Sequence, residues 1–315
     1  MSRKRTALAA ILLGLAAAIL PFMLTSFAAS QEARTQDAPA AAPDPFQLAL
    51  ILKAGREYSQ RLGGAALDFV CVEEVSDRID LSRDGPHDLA KHVDIYGGAQ
   101  STQSTGARMS FERNPKNAKG TNVYVFDYQF VRQAGEVKES RKLLKKNGKD
   151  AKKGEPDPRT AVFQYADILM APVQVLDESI RDFYRYRLLR EDALDEVECW
   201  VVEVTPSMPL VETYLGGTIW LRQDDYSILK IEWDPATYSG YEKIRARARA
   251  LDAEPRVVSV TEFGVEKNGI RFPSRDFTQE AYLGKDGRLF VRSETEVVYK
   301  DYRFFTVETT TDIKK

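Results

Sequence analysis

Two adjacent carboxylates, Asp224 and Asp225, stand between two of the three tryptophans of the chain, Trp220 and Trp233. Paired acids beside aromatic walls can act as a general acid and a general base when their environments drive their pKa values apart. The stretch 224–227 reads Asp-Asp-Tyr-Ser, however, which is typical of a turn whose side chains bond their own backbone. Acids at a hairpin tip are solvated, so the pattern predicts a structural turn rather than a catalytic pair.

The only two histidines, His87 and His92, lie five residues apart, whereas a helical metalloprotease motif needs four and a glutamate. Asp88 and Asp94 could add oxygen ligands, but the surrounding composition favours a solvated loop. The sequence contains no Gly-x-Ser-x-Gly elbow, no nucleophile–histidine–acid set and no glycine-rich phosphate loop. We therefore predict no catalytic residues, no metal, no cofactor and no enzyme activity.

A leading helix is the first element that could position a site. Asp44-Pro45 offers an N-cap acceptor followed by proline at the first helical position. Apolar residues from Leu48 to Leu62 then follow helical spacing, and Gly63-Gly64 is expected to end the helix. The pattern predicts one amphipathic helix over about 45–62. An irregular insertion is predicted over about 79–120, where Gly, Ser, Asp, Asn and Thr predominate.

Most of the remaining chain alternates apolar and polar residues, as strands do. The last strands are predicted over about 256–266, 271–283, 288–300 and 302–312. Short turns such as Asn268-Gly269 and 285–287 imply antiparallel pairing, because parallel strands need long crossovers. A sheet of about ten to eleven strands should curl. We expect an α+β, mostly β fold: a single curled antiparallel sheet with the leading helix and a second helix, over 240–251, against its concave face.

The first 29 residues predict an export signal. Arg3 to Arg5 form a positive region, Ala7 to Leu24 an almost unbroken apolar run, and 26–28 a small-residue cleavage site. Because the apolar run is about long enough to cross a membrane, an uncleaved inner-membrane anchor is the alternative. Residues 30–44, rich in Ala, Pro and Gln, predict a disordered tether.

Composition bounds the function classes. The chain has 315 residues, and its 45 basic and 47 acidic side chains leave a formal charge of -2. Nucleic-acid binders usually carry a basic excess, so no nucleic-acid partner is predicted. With one folding pattern throughout, residues 45–315 are expected to form one domain.

The hairpin that holds the two acids resembles a known family. Its Gly-x-Ile-Trp-Leu strand (217–221), acidic turn and Leu-Lys-Ile-Glu strand (229–232) ending at a proline resemble the core hairpin of periplasmic outer-membrane lipoprotein-sorting proteins, the LolA-like lipoprotein-carrier superfamily. Residues 267–274 and 298–302 also resemble exported bacterial proteins of this type. The resemblance covers about 45–315. It implies a periplasmic or cell-envelope location and a half-open β-barrel in which helices form a lid over an apolar cavity for acyl chains.

Aromatic and aliphatic residues on alternate strand positions are expected to line one concave side. The candidate ligand-binding residues are Tyr124, Phe126, Tyr128, Phe130, Tyr184, Tyr186, Trp200, Val202, Leu229, Ile231 and Trp233. They could fill a core, or they could form a partly open pocket, since large apolar concavities are the usual ligand sites.

Three function hypotheses follow from that face. The first is an exported, non-enzymatic envelope protein that binds an acyl chain, a lipid or a lipoprotein, as a carrier or sensor. The second is an interaction or scaffold module whose cavity is filled by its own helix. The third is a hydrolase whose site carries no recognisable motif.

A run of basic residues from Lys138 to Lys153 is the sharpest charge feature. Such a run is usually a solvated hairpin tip. Clustered lysines also bind anionic lipid headgroups, so the second interpretation is contact with an anionic membrane surface.

The two cysteines, Cys71 and Cys199, could pair in an oxidising compartment. Strand parity argues against it. Cys199 points away from Trp200, which is expected to face inward, whereas Cys71 shares a face with Phe69. A disulfide needs converging side chains, so we regard this bond as doubtful.

Overall fold

The structure is a computed structural model. It describes residues 45–65, 68–84, 93–94, 119–133, 136–152, 163–164, 174–207, 214–238 and 241–305. The export signal, the tether at 30–44, both histidines and most of the insertion predicted at 79–120 lie outside the described residues. Within the described ranges, no helix has the length and apolar character needed to cross a membrane.

Two α-helices, two 3₁₀ turns and fifteen strands make up the described chain. The helices are α1 (Pro45–Ala65) and α2 (Tyr241–Ala250), and the 3₁₀ turns are η1 (Glu178–Phe183) and η2 (Pro235–Thr237). The strands are β1 (Asp68–Asp80), β2 (Val93–Asp94), β3 (Lys119–Gln133), β4 (Glu136–Lys146), β5 (Lys149–Asp150), β6 (Phe163–Gln164), β7 (Tyr184–Leu194), β8 (Val197–Pro206), β9 (Gly217–Arg222), β10 (Ile228–Trp233), β11 (Ala253–Glu262), β12 (Val265–Lys267), β13 (Ile270–Phe272), β14 (Arg275–Gly284) and β15 (Leu289–Phe304).

Eleven strands form one antiparallel sheet in the order β5-β4-β3-β1-β15-β14-β11-β10-β9-β8-β7. The first long strand and the last, β1 and β15, pair at its centre, so the sheet is held by contacts between the two ends of the domain. The order leaves β5 and β7 as separate edges, so the sheet is not closed into a barrel. The predicted fold class is confirmed: mostly β, with one large antiparallel sheet and few helices.

The leading helix is longer than predicted. Gly63 and Gly64 lie inside α1, which ends at Ala65. Ordering the backbone of these two glycines in a helix costs less free energy than the packing of the preceding turn contributes, because Leu62 in that turn is fully buried. The prediction for the second helix, 240–251, agrees closely with α2.

The two C-terminal strands predicted at 288–300 and 302–312 are wrong as separate elements. A single strand, β15, runs through the expected break. Asp301 adopts a φ of 55° there, and the register with β1 shifts between Val70 and Val72. The extra residue is therefore absorbed as a β-bulge, which bends a strand without ending it.

The sheet has one face packed against helices, here called the inner face, and an opposite outer face. Ile51 and Leu62 of α1 and Ile244 of α2 belong to the hydrophobic cluster of the inner face. A smaller cluster on the outer face comprises Cys199, Val201, Trp220 and Leu229. Cys71 belongs to the inner cluster, and both cysteines are free. The doubt about a disulfide is confirmed for the reason given by strand parity.

A close backbone approach between β9 and β10 predicts one strong mutational effect. A Cβ on Gly217 would lie 2.3 Å from the carbonyl oxygen of Glu232 and 3.0 Å from the Cα of Trp233. We expect Gly217→Ala to lower the free energy of unfolding by about 3 kcal/mol, because backbone atoms cannot yield as a side chain can. Denaturant titration followed by circular dichroism measures this change.

The control for this substitution is Gly64→Ala in α1, where an added Cβ would meet nothing within 4 Å. It should raise stability by about 0.5–1 kcal/mol through its effect on helix propensity. Equal stabilities for the two variants would show that β9 and β10 are not this close.

Candidate functional site

The inner face brings together ten of the eleven residues predicted to line a cavity. The buried members of the inner cluster are Tyr124, Phe126, Tyr128, Phe130, Tyr184, Val202, Ile231 and Trp233. Tyr186 and Trp200 are partly buried and pack against them. These ten residues, here called the aromatic wall, lie on β3 at one side of the sheet and on β10, β8 and β7 at the other. They share a face because alternate residues of a strand point to the same side of the sheet.

Leu229 is the exception, and its predicted place on the inner face is wrong. It packs on the outer face with Cys199, Val201 and Trp220. The register of β10 against β9 shifts between Ile228 and Lys230, so this β-bulge puts Leu229 and Lys230 on the same side of the sheet. Simple alternation from Ile231 back to Leu229 therefore fails.

Helix α1 covers part of this wall. Ile51, Tyr58 and Leu62 are at most 2 % exposed and belong to the same cluster as the predicted lining residues. The approach is close at Gly55, where an added Cβ would lie 3.3 Å from the Cδ1 of Leu221. The helix of the chain itself thus occupies space on the face where a ligand was predicted.

Polar contacts also tie α1 to its surroundings. The hydroxyl of Tyr58 accepts a hydrogen bond from the backbone N–H of Arg271, at 2.8 Å. Burial raises the pKa of Tyr58 to about 12, so the hydroxyl stays protonated. Arg56 pairs with Glu178 of η1 at 2.9 Å and lies over the ring of Tyr186.

At one end of the wall the aromatic side chains form a continuous cluster. The ring of Phe69 lies 5.7 Å from that of Phe130 and 5.2 Å from that of Tyr302. Phe272 of β13 packs against Phe304, with ring centroids 4.6 Å apart. The lining prediction omitted all of these except Phe130, although Phe69 has the alternation that the other lining strands show.

The centre of the inner face is polar, which the prediction of an apolar trough did not foresee. One row across four neighbouring strands consists of Asp77, Thr295, Thr278 and Ser259, each opposite the next. Asp276 and Thr261 stand in the row on one side, and Glu280 and Ser293 in the row on the other. We call these eight residues the polar stripe; each is at most 3 % exposed.

Hydrogen bonds connect the polar stripe to the aromatic wall. Trp233 donates from Nε1 to the hydroxyl of Thr261 at 2.9 Å, and Thr261 donates to Asp276 at 2.7 Å. Thr295 donates to Asp77 at 3.1 Å. Trp233, which was predicted as a lining residue because of its apolar ring, is therefore also held in place by a chain of hydrogen bonds.

The carboxylate of Glu280 is bound to two arginines. Arg247 of α2 and Arg292 of β15 both donate to it, and Arg292 also pairs with Asp84 at 2.6 Å. Burial lowers the pKa of Arg292, but the hydrogen bond and charge of Asp84 and the charge of Glu280 outweigh this effect. The net result is a pKa well above the ordinary value. The network fastens α2 to the sheet.

A second buried ion pair lies nearer the edge of the sheet. Arg141 donates to Glu73 and Glu139, each at 2.8 Å, and its guanidinium lies over the ring of Tyr128. Burial raises the pKa of Glu73 above its ordinary value, and the charge and hydrogen bond of Arg141 offset only part of that rise. Arg141 belongs to the predicted basic run, yet it serves the inner face rather than a basic surface.

The exposed lysines of that run lie along β4 and β5, whereas the prediction put the run at a solvated hairpin tip. Lys142 and Lys145 on β4, and Lys149 on β5, are exposed at the edge of the sheet. Exposed lysines on an edge strand hinder pairing with the edge of another chain.

The acidic pair that separates the tryptophans forms a turn, as predicted. Asp225 accepts a hydrogen bond from the backbone N–H of Ser227 at 2.9 Å, and Asp224 pairs with Arg222 at 2.9 Å. Partial burial raises the pKa of Asp225, but the hydrogen bonds of Ser227 and the charge of Arg222 bring it below its ordinary value. Asp225 is therefore ionised at neutral pH and stabilises the turn.

A pocket of about 540 Å³ lies beside this turn. It is lined by Ala54, Glu57, Gln60, Arg61, Asp225 and Tyr226, and so stands between α1 and the β9–β10 turn, away from the aromatic wall. Among the described residues, no three His, Cys, Asp or Glu side chains are grouped so as to hold a metal ion.

Comparisons with solved structures return several proteins that are similar to this chain at low sequence identity. A LolA superfamily protein from Nitrosomonas europaea is 14% identical, with 82% of this chain and 94% of that chain covered and a TM-score of 0.30. A putative outer membrane lipoprotein-sorting protein domain from Vibrio parahaemolyticus is 12% identical, with 83% and 96% covered and a TM-score of 0.33. A DUF1329 family protein from Desulfovibrio piger is 12% identical, with 82% and 95% covered and a TM-score of 0.32.

No family model matches the chain, and no curated protein matches its sequence. Because the TM-scores of the three structures lie between 0.30 and 0.33, the fold assignment rests on strand order and register. Functional inference rests on the inner face itself.

Proposed function

We propose that the protein is an exported, non-enzymatic envelope protein that binds the acyl chain of a lipid or lipoprotein against the inner face of its sheet. The observation that carries this proposal is the packing of α1 on the aromatic wall, because an apolar ligand could bury the same apolar surface that the helix now covers. The ligand would take the place of α1, which would act as a lid. The export signal predicted in the first 29 residues supports a periplasmic or cell-envelope location.

The free energies of burying an acyl chain and of burying the apolar side chains of α1 are similar enough to allow this exchange. Burying one methylene contributes about 0.8 kcal/mol, so a chain of roughly sixteen carbons could gain on the order of 10 kcal/mol. The four buried apolar side chains of α1 account for about 6–12 kcal/mol at 1.5–3 kcal/mol each; they are Ile51, Leu52, Tyr58 and Leu62. An acyl chain can therefore compete with the helix, while in its absence the helix closes the face.

An anionic membrane surface remains the proposed second contact. The lysine edge formed by Lys142, Lys145 and Lys149 is exposed and forms no ion pair within the part of the chain that the structure describes, so it is available to lipid headgroups. Each such lysine near an anionic membrane surface contributes about 1 kcal/mol of binding free energy, and this attraction falls off within a Debye length. This contact would deliver the protein to a membrane without specifying the ligand.

The three tryptophans provide a direct test, because Trp200 and Trp233 pack on the inner face and Trp220 on the outer face. Three single-tryptophan proteins of residues 31–315 are made by replacing the other two tryptophans with Phe. Dibromostearoyl probes, as the free acid and as the methyl ester, quench a tryptophan only at short range. We expect quenching of Trp200 and Trp233 and little quenching of Trp220.

The same three single-tryptophan proteins distinguish acyl-chain binding from the competing scaffold hypothesis. Burial of α1 on the wall also fits a scaffold module whose cavity is filled by its own helix. That module would show no quenching of any tryptophan and no copurifying acyl species in a lipid extract analysed by mass spectrometry. Equal quenching of all three tryptophans would indicate non-specific surface binding and would contradict the proposed site.

A further inference from the structure

The pocket of about 540 Å³ between α1 and the β9–β10 turn has no part in the proposed function. Its volume falls within the range of small-molecule binding sites. Its walls belong to elements that tertiary packing holds in place, since α1 approaches Leu221 closely at Gly55 and Tyr226 packs against the inner cluster. The pocket is therefore a space of ligand size with firmly placed lining residues.

Two carboxylates line this pocket, Glu57 on α1 and Asp225 in the turn. A carboxylate oxygen of Glu57 lies 4.0 Å from the Nζ of Lys53, and one of Asp225 lies 3.8 Å from a guanidinium nitrogen of Arg222. Both separations are longer than a hydrogen bond, so each carboxylate keeps an oxygen that can accept one. The pocket thus offers two negative charges to a bound cation.

The third charged group of the lining is the guanidinium of Arg61. It lies over the ring of Tyr58, 5.5 Å from the ring centre, and forms no ion pair within the described part of the chain. Burial is the main cause of the raised pKa of Tyr58, and the charge of Asp225 raises it further while that of Arg61 lowers it. Asp225 and Arg61 therefore lie near the same phenol without pairing with each other, which leaves Arg61 able to bind an anionic group.

Tyr226 adds an aromatic side chain to the lining, and its backbone conformation is unusual. Its φ of 58° lies in the left-handed region, which bulky residues rarely adopt. Residues held in such conformations cluster at functional sites. An aromatic ring can contact both an aliphatic stem and a cation, and Ala54 extends the apolar part of the lining.

We propose that this pocket binds a free basic amino acid. The two cationic groups of the ligand pair with Glu57 and Asp225, and its carboxylate pairs with Arg61. Its aliphatic stem lies against the ring of Tyr226. A purely anionic ligand would face two carboxylates, and a diamine would leave Arg61 without a counter-charge. Because α1 supplies one wall and the turn the other, the bound amino acid links the helix to the sheet, whether or not the protein binds acyl chains.

The test compares L-lysine with two probes that each lack one of its charges. L-norleucine has no side-chain ammonium group, and cadaverine has no carboxylate. Their affinities for the protein of residues 31–315 are measured by calorimetry, and we expect lysine to bind at least about tenfold more tightly than either, a difference of about 1.4 kcal/mol. Equal affinities for the three probes, or no saturable binding of lysine up to about 10 mM, would overturn the proposal. Neither outcome bears on acyl binding, which the tryptophan quenching measures separately.

Two variants assign the recognition to named side chains. Arg61→Gln should weaken lysine binding about tenfold and leave cadaverine binding unweakened, because only lysine carries the carboxylate. Glu57→Gln should weaken the binding of both ligands. The matched control is Arg249→Gln, since Arg249 is also an exposed helical arginine but lies on α2, outside the pocket lining. If Arg61→Gln binds lysine as the wild type does, or loses lysine and cadaverine equally, Arg61 does not hold the carboxylate and the proposal fails.

Discussion

Replacing Glu280 by Gln is expected to lower the free energy of unfolding by about 3–5 kcal/mol. Glu280 is completely buried and accepts hydrogen bonds from Arg247, Arg292 and Tyr282. Loss of its charge leaves two buried guanidinium groups with less compensation, although Arg292 keeps its ion pair with Asp84. Chemical denaturation, with circular dichroism as the signal, measures the loss.

The control is the same substitution at an exposed ion pair. Glu254 pairs with Arg256 at 2.9 Å, but their side chains are 70% and 45% exposed. Glu254→Gln should change stability by less than about 1 kcal/mol, because water screens the pair and competes for its hydrogen bonds. A loss at Glu280 no larger than that at Glu254 would show that the buried network contributes little.

A double replacement separates the contributions of Arg247 and Arg292 to the stability loss expected for Glu280→Gln. Arg247→Met combined with Glu280→Leu removes one of the two arginines with the carboxylate. It should recover part of the loss seen with Glu280→Gln, since well-packed apolar side chains often replace a buried ion pair at little cost. The remaining deficit measures what Arg292 loses when Glu280 no longer pairs with it.

Cross-linking α1 to η1 is expected to slow acyl-chain uptake by at least about tenfold, equivalent to about 1.4 kcal/mol in the activation barrier. The position is the ion pair of Arg56 with Glu178, at 2.9 Å. In the variant Arg56→Cys with Glu178→Cys, a short thiol-reactive cross-linker would prevent α1 from leaving the wall. The native Cys71 and Cys199 are buried and free, so they should react slowly.

The matched control joins two strands and leaves the helix unrestrained. Arg187 of β7 pairs with Glu203 of β8, also at 2.9 Å and directly opposite in register. Arg187→Cys with Glu203→Cys, cross-linked in the same way, should leave the uptake rate unchanged, and cleavage of a reducible linker should restore uptake in the α1 variant. Normal uptake with α1 held in place would exclude the lid and require another entry route.

Local pattern alone predicted the architecture of this protein. Alternating apolar residues and short turns at Asn268-Gly269 and 285–287 specified antiparallel strands, because parity and turn chemistry are properties of neighbouring residues. The same parity correctly put Cys199 and Trp200 on opposite faces. It also carried the signal for polar residues on the inner face, since Glu73 and Asp77 share the parity of Phe69 and Val75.

Tertiary structure decided what local pattern could not. The bulges that move Leu229 to the outer face and carry β15 past Asp301 depend on pairing with another strand, so they leave little trace in the sequence around them. The polar stripe forms only because β1, β15, β14 and β11 become neighbours, although β1 and β15 are more than 200 residues apart along the chain. Its chemistry, and the competition between α1 and an acyl chain for the aromatic wall, arise from contacts that exist only after the two ends of the domain meet at the centre of the sheet.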